Sequence, residues 1–455
     1  MSAPQAIDQF LQTHLNDYIK ETSRLCAQPS ISTTGLGIDE CAELVVEILR
    51  QHGLETQIFK TPTYPIIVGR AKGQSERTLL FYNHYDVQPV DPLDLWTTPP
   101  FEPTVREGKL FARGAKDDKG ELIARLAAVD AVRAAHDGVL PCGVTFIVEG
   151  EEEVGSPNIA EFVRDHLDLL KCDGAVWEEG NIDHEGYPTE FLGVRGVMCL
   201  ELHVRTLTRD AHSGSAHALP NAAWRLVGAL ASLKDANERI LIPGFYDDVR
   251  PPTKRDLELI DAMPSYEAFA RSQYGVRQFV HGHTGKDIEY AVFEPTCNIC
   301  GITAGYQDEG TKTVIPATAL AKIDFRLVPH QDPDDILLKL RVHLDLNGFA
   351  DVEIVQPEAP MYPYKTDAEQ PLIELSLRTG EEVYGKRGYV EPLAGGSTPV
   401  YAFAQPLGNI AAICPGVGYW DNRAHSPDEH IRIEDFLNAA RHIARIVEGF
   451  ADLEK

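Results

Sequence analysis

The feature that most restricts how this chain folds is a regular exchange between two hydrophobic periods over residues 5–195. Short apolar runs, "TLLFYNH" (78–84), "CGVTFIVEG" (142–150) and "DGAVWEE" (173–179), alternate with the helical patterns "IDECAELVVEILRQHG" (38–53), "DDKGELIARLAAVDAVRAAHDG" (117–138) and "SPNIAEFVRDHLDLL" (156–170). Strands separated by helices pair in parallel, so this part predicts an α/β domain with a mainly parallel sheet. Gly53 and Gly138 stand where the first two helices should stop. From about residue 197 the texture changes. "VMCLELHVRTL" and "ATALAKIDFRLVP" alternate with period two, beside helical patterns such as "NAAWRLVGALASLK" and "PDDILLKLRVHLDLNG"; this is α+β. Beyond about 360, "EQPLIELSLRTGEEVYG", "NIAAICPG" and "IEDFLNAARHIARIVEGFADL" return to the first pattern. The expected organisation is one discontinuous α/β domain, 1–196 and 361–455, with an α+β domain, 197–360, spliced into it.

Charge narrows the function. Among 455 residues, 69 acidic against 42 basic side chains give a formal net charge of -27, which argues against nucleic acid and an anionic membrane as partners and favours small substrates or bound cations. The opening "MSAPQAIDQFLQTHLNDYIK" carries acids in an amphipathic pattern and reads as a helix rather than a signal peptide. No apolar run approaches the roughly 18 residues that span a bilayer. The eight cysteines are scattered without framework spacing, as in a reducing compartment, so a cytoplasmic location is expected. The single C-x-x-C, Cys297 and Cys300, reads as two thiols in or beside a strand, since no second pair accompanies it.

Acids and histidines collect where the strands of the α/β domain end, the edge at which open parallel sheets place ligands. His84 and Asp86 share a face at the end of the first run; alone they could be a satisfied polar pair or the start of a metal site. Asp117 and Asp118 precede a helix, Glu149, Glu151, Glu152 and Glu153 follow a strand, Glu178 and Glu179 follow another, and His425 and His430 follow "NIAAI". Each cluster alone has a plain reading as a cap or a solvated face. Together, carboxylates crowded at one sheet edge repel one another unless cations neutralise them. Two histidines with three carboxylates, one of them bridging, suit a pair of zinc-like ions roughly 3.5–4 Å apart.

The ordered set His84-Tyr85-Asp86, "ARGAKDDKG" (112–120), "EGEEEVGS" (149–156), "AHSG" (211–214), "KTVIP" (312–316), "FRLVP" (325–329), "GGSTP" (395–399) and "AHS" (424–426) resembles the co-catalytic di-zinc peptidases. These include carboxypeptidase G, acetylornithine deacetylase, carnosinase and the cytosolic nonspecific dipeptidase. The resemblance spans nearly the whole chain and is greatest to the dipeptidase branch. It implies a discontinuous catalytic domain with an inserted lid and dimerisation domain, and two divalent ions, Zn2+ first with Mn2+ or Co2+ as substitutes. It implies that His84 and Glu179 bind one metal, Glu153 and His425 the other, and that Asp117 bridges both. Glu179, rather than Glu178, lies six residues after Asp173, the family's usual spacing. Glu152 would be the general base and then the acid that protonates the leaving amine, and Asp86 would orient His84. A cis bond between Asp117 and Asp118 is expected. His212 would reach the active site of a partner subunit in a homodimer, while Arg326, with Gly396 and Ser397, would hold the substrate's terminal carboxylate.

Three positions depart from the dipeptidase pattern. Leu393 and Ala394 stand where Arg and Glu usually precede "GGS", and Glu179 replaces the aspartate common there. A deacylase of N-acyl amino acids, or a carboxypeptidase-like enzyme, is therefore a second reading beside a dipeptidase. A binding protein on an inactive scaffold is a third, which the retention of Glu152 and all five ligand positions opposes. Use of Ser397 as a nucleophile is opposed by the lack of a G-x-S-x-G elbow.

Overall fold

A computed structural model describes residues 2–178 and 180–453. Along the chain the elements used below are α1 (Ala3–Ala27), α2 (Ile38–Gln51), β1 (Glu55–Phe59), β2 (Ile66–Ala71), β3 (Thr78–His84), β4 (Lys109–Phe111), α3 (Lys119–Ala135), β5 (Gly143–Glu149) and β6 (Gly174–Val176). They continue with β7 (Gly196–Arg205), α4 (Ala222–Leu233), β8 (Thr296–Ala304), β9 (Thr318–Leu327), α5 (Pro333–Leu346), β10 (Glu353–Val355), α6 (Pro371–Tyr384), β11 (Ala412–Ile413), β12 (His430–Arg432) and α7 (Ile433–Phe450). The chain divides into two compact units: Met1–Leu192 with Thr366–Pro392 and Pro399–Lys455, and Gly193–Lys365 with Leu393–Thr398.

The first unit is built on a six-stranded sheet ordered β1-β2-β5-β3-β6-β11. β5, β3, β6 and β11 run parallel, and β1 and β2 add an antiparallel edge. Every residue of β5 is buried, and so is all of β3 after its first residue, which is why these strands read as unbroken apolar runs. α3 lies against β3 and packs on α1 and α7. Its two buried cations have separate tasks. Lys119 donates to the carbonyls of Leu25 (3.1 Å) and Gln28 (2.7 Å) and so caps the C-terminal end of α1. Arg125 donates to the carbonyls of Tyr82 (2.5 Å) and Trp177 (2.6 Å), tying the ends of β3 and β6 together. The strand ends that carry acids and histidines are thereby fixed from beneath.

The second unit is an antiparallel sheet ordered β8-β9-β7-β10. Its alternation is that of a half-buried sheet. Met198, Leu200, Leu202 and Val204 of β7 and Ala321, Ile323, Phe325 and Leu327 of β9 form a core with Leu226 and Ala229 of α4 and Leu340 and Leu344 of α5. Cys199, Glu201, His203, Asp324 and Arg326 take the intervening, less buried positions.

Two boundaries differ from the sequence reading. The junctions fall at Leu192/Gly193 and Lys365/Thr366, and the segment Leu393–Thr398 belongs to the second unit. The cause is backbone pairing that no side-chain pattern reveals: Ala394 N–H donates to Gly193 O (2.8 Å) and Arg195 N–H to Gly396 O (2.9 Å).

Candidate metal centre

His84 is the last residue of β3 and is fully buried. Its Nδ1 lies 3.0 Å from the carbonyl oxygen of Asp86 and 3.3 Å from Asp86 Oδ1. With two acceptors on that side, Nδ1 carries the proton and Nε2 presents its lone pair. Asp86 does more than orient the ring. Its carboxylate also accepts the N–H groups of Glu152 and Glu153, both at 3.1 Å, which fixes the short turn after β5. One buried acid thus holds the imidazole and the turn in register.

Asp117 lies between the two histidines. Its Oδ1 is 3.1 Å from His84 Nε2 and its Oδ2 is 2.9 Å from His425 Nε2. His425 Nε2 is also 3.3 Å from Glu153 Oε2, which accepts from Gln88 Nε2 at 2.7 Å. The His425 backbone is held at φ 59°, a left-handed conformation uncommon for a side-chain-bearing residue. The Asp117–Asp118 peptide is cis, as expected. Asp118 points back to β3 and accepts from Asn83 Nδ2 (2.6 Å) and His84 N–H (3.1 Å). Glu178 Oε2 stands 3.8 Å from His84 Nε2. Glu179 lies outside the described residues.

The charges follow from this crowding. Burial alone would push His84 towards neutrality, yet Asp117 and Asp86 hold its imidazole well above its ordinary pKa. Hydrogen bonds donated to Asp117 and Glu153 raise His425 to about 10. Burial opposes ionisation of Asp117, but Lys116 and the two histidines keep its carboxyl well below the usual range. Glu152 moves the other way, raised by burial and by Glu153, Asp117 and Asp86 despite the nearby His84.

Two sets of donor atoms each converge within one coordination sphere: His84, Asp118 and Glu178, and Asp117, Glu153 and His425. Imidazole with carboxylate is a donor set that suits zinc, manganese or cobalt. Imidazole nitrogens and carboxylate oxygens that approach this closely are atoms a divalent ion could draw together. The donor chemistry fits such ions.

The other expected residues lie in the second unit. Arg326 Nη1 donates to Ser397 Oγ (2.9 Å), and Arg195, whose N–H reaches Gly396 O, donates through Nη2 to Arg326 O (3.2 Å). Arg326, Gly396 and Ser397 are therefore brought together. His212 is exposed and lies elsewhere in the unit, in a two-residue strand pairing Ala211 with Ile315 and itself with Val314. That pairing brings "AHSG" and "KTVIP" side by side. Leu393 is buried with Ile260 and Phe293. Cys297 is buried in β8 and Cys300 is exposed, its thiol donating to Asp324 Oδ2 at 2.9 Å.

Sequence reasoning did not assign Asp118, Arg125 or Glu429 a role. Arg125 was detectable as a lone charge inside the apolar stretch "LIARLAAV". Asp118 and Glu429 act on backbone N–H groups, which leave no trace in side-chain spacing.

Two groups of side chains that could hold metal ions, on a discontinuous α/β domain with a spliced α+β domain, accord with a metallopeptidase. Residues 80–449 match peptidase family M20/M25/M40, and the chain belongs to that family. It is 30% identical over 407 residues to the β-Ala-His dipeptidase of Rattus norvegicus, covering 87% of this chain and 81% of that protein. It is 26% identical over 464 residues to the Cys-Gly metallodipeptidase of Schizosaccharomyces pombe, covering 96% of each. Among solved structures, an M20 family metallo-carboxypeptidase from Sulfolobus solfataricus is similar with a TM-score of 0.89 and 34% identity, over 96% of this chain and 99% of that one. No helix among the described residues is long and apolar enough to cross a membrane.

Proposed function

We propose that this chain is a dipeptidase that cleaves the amide bond of a small peptide with two divalent cations, zinc first, held by His84, Asp117, Glu153, Glu179 and His425. The observation that carries the reading is Asp117, whose two oxygens each face a different imidazole at 3.1 and 2.9 Å. When bound, the cations supply an acidified water and a polarised carbonyl. The chain's own groups do the rest. Asp86 keeps the His84 proton on Nδ1, so that Nε2 remains a donor of electrons. Glu152 stands on the turn fixed by Asp86, takes a proton from the attacking water and returns it to the leaving amine. Arg326, steadied by Ser397 and by Arg195, offers a guanidinium fork to a terminal carboxylate.

A homodimer formed through the second unit is part of this proposal, with His212 serving the partner's site. An edge strand supports it: β8 ends its sheet with Ile299 and Ile302 47% and 52% exposed, a surface that edge strands usually protect. Eight free thiols support a reducing, cytoplasmic setting.

Leu393 favours a second reading. Buried among apolar residues next to Ala394, it offers no charge to a substrate's free amine, as a deacylase or carboxypeptidase would permit. The test of the first reading is metal removal. Stripped protein should release no amine from a plain dipeptide and should recover on reloading with two equivalents of Zn2+; activity that survives stripping would refute it.

A further inference from the structure

We propose that Glu429 is a positioning residue that locks the Asp117 loop to the His425 loop. The inference rests on the metallopeptidase reading and deepens it. β12 pairs antiparallel with β4, His430 opposite Phe111, and the Ala112 N–H donates to Glu429 O at 3.1 Å. This pairing lays the segment that carries His425 along the segment that leads to Asp117.

The side chain of Glu429 closes the junction. It is fully buried, and four donors converge on it: Arg113 Nη1 at 2.6 Å and Gly114 N–H at 3.1 Å on Oε2, Lys116 N–H at 2.9 Å and Asp117 N–H at 3.1 Å on Oε1. Arg113, itself 1% exposed, balances the charge and donates its other arm to Pro89 O at 3.0 Å. Neutralising a buried carboxylate needs only the arginine. The three N–H groups are a separate task, because they belong to a loop with no helix or sheet partner for them, and buried N–H groups without acceptors are costly. A single carboxylate therefore sets the path of residues 114–117. Asp117 rides on the last of these bonds, and His425, whose Nε2 is 2.9 Å from Asp117 Oδ2, lies four residues before Glu429 on the same segment. Loss of the carboxylate displaces both partners of that pair.

Four donors face the Glu429 carboxylate, so Glu429→Gln sets an amide N–H₂ against at least one of them while keeping the shape. In metal-stripped full-length protein titrated with Zn2+, affinity for the ion held by Asp117, Glu153 and His425 should fall roughly 10- to 100-fold. After reloading, kcat on a dipeptide should fall by a similar factor with KM unchanged within about twofold. A purely structural role would lower the melting temperature and leave ion affinity intact. If Glu429→Gln does not fold, Glu429→Asp reads the same quantity, since it keeps a charge for Arg113 but draws the oxygens back from the loop. Wild-type affinity and kcat in a folded variant overturn the inference alone. Failure of the wild type to bind the ion and cleave the dipeptide overturns the parent reading and the inference with it.

Discussion

Glu152 and the Glu178–Glu179 pair are where single side chains decide the chemistry. Glu152 has no metal-ligating position in either donor set, so Glu152→Gln should leave cation binding intact and lower kcat by roughly a hundred- to ten-thousandfold. Amine release and metal content measured on one sample check this, and loss of the cations instead would make Glu152 a ligand. The neighbouring pair poses a finer question. Glu178 Oε2, 3.8 Å from His84 Nε2, stands at a separation that two ligands of one ion can have, whereas the six-residue spacing from Asp173 favours Glu179. On that spacing we expect Glu179→Ala to lose the cation beside His84 and Glu178→Ala to retain it. The opposite pattern in zinc titrations would reassign the ligand. At this scale the motifs carrying His84, Asp117, Glu153 and His425 were legible, because ligand chemistry restricts residue type. The residues that hold them were less so: Asp118 and Glu429 bind backbone, and many sequences provide such an acid.

A buried ionic junction links α1, α2 and α3 of the first unit. His52, just past the end of α2, places Nδ1 2.5 Å from Asp130 of α3 and Nε2 2.9 Å from Glu21 of α1, while Tyr18 Oη donates to Asp130 at 3.1 Å. Burial would lower the His52 pKa, but the two carboxylates outweigh it and raise it to about 9. A folded-state pKa above the ordinary 6.5 contributes stability that is complete below about 6.5 and lost as pH rises through about 9. The difference in unfolding free energy between wild type and His52→Gln should thus be on the order of 1–3 kcal/mol at pH 6 and shrink by pH 10. A difference that grows with pH would contradict this. The elements themselves were readable where a period persists, as in α2, α3 and β7. What escaped was the segment Leu393–Thr398 and the pairing of Ala211–His212 with Val314–Ile315, which are too short to show a period and are held by backbone bonds.

For the whole molecule, a formal charge of -27 and two groups of side chains that could hold metal ions lead us to expect a melting temperature that rises when divalent ions are added. Dimer formation should show in sedimentation velocity, and Ile302→Lys on β8, which places a charge on an exposed edge position, should shift the protein to monomer; an unchanged dimer would move the interface away from β8. The decisive measurement is amine release from a free dipeptide and from its N-acetyl counterpart, by protein stripped of metal and then reloaded with zinc. No turnover is expected of the stripped protein and, after reloading, faster cleavage of the free dipeptide. Faster cleavage of the acetylated substrate, or turnover indifferent to metal, would contradict this.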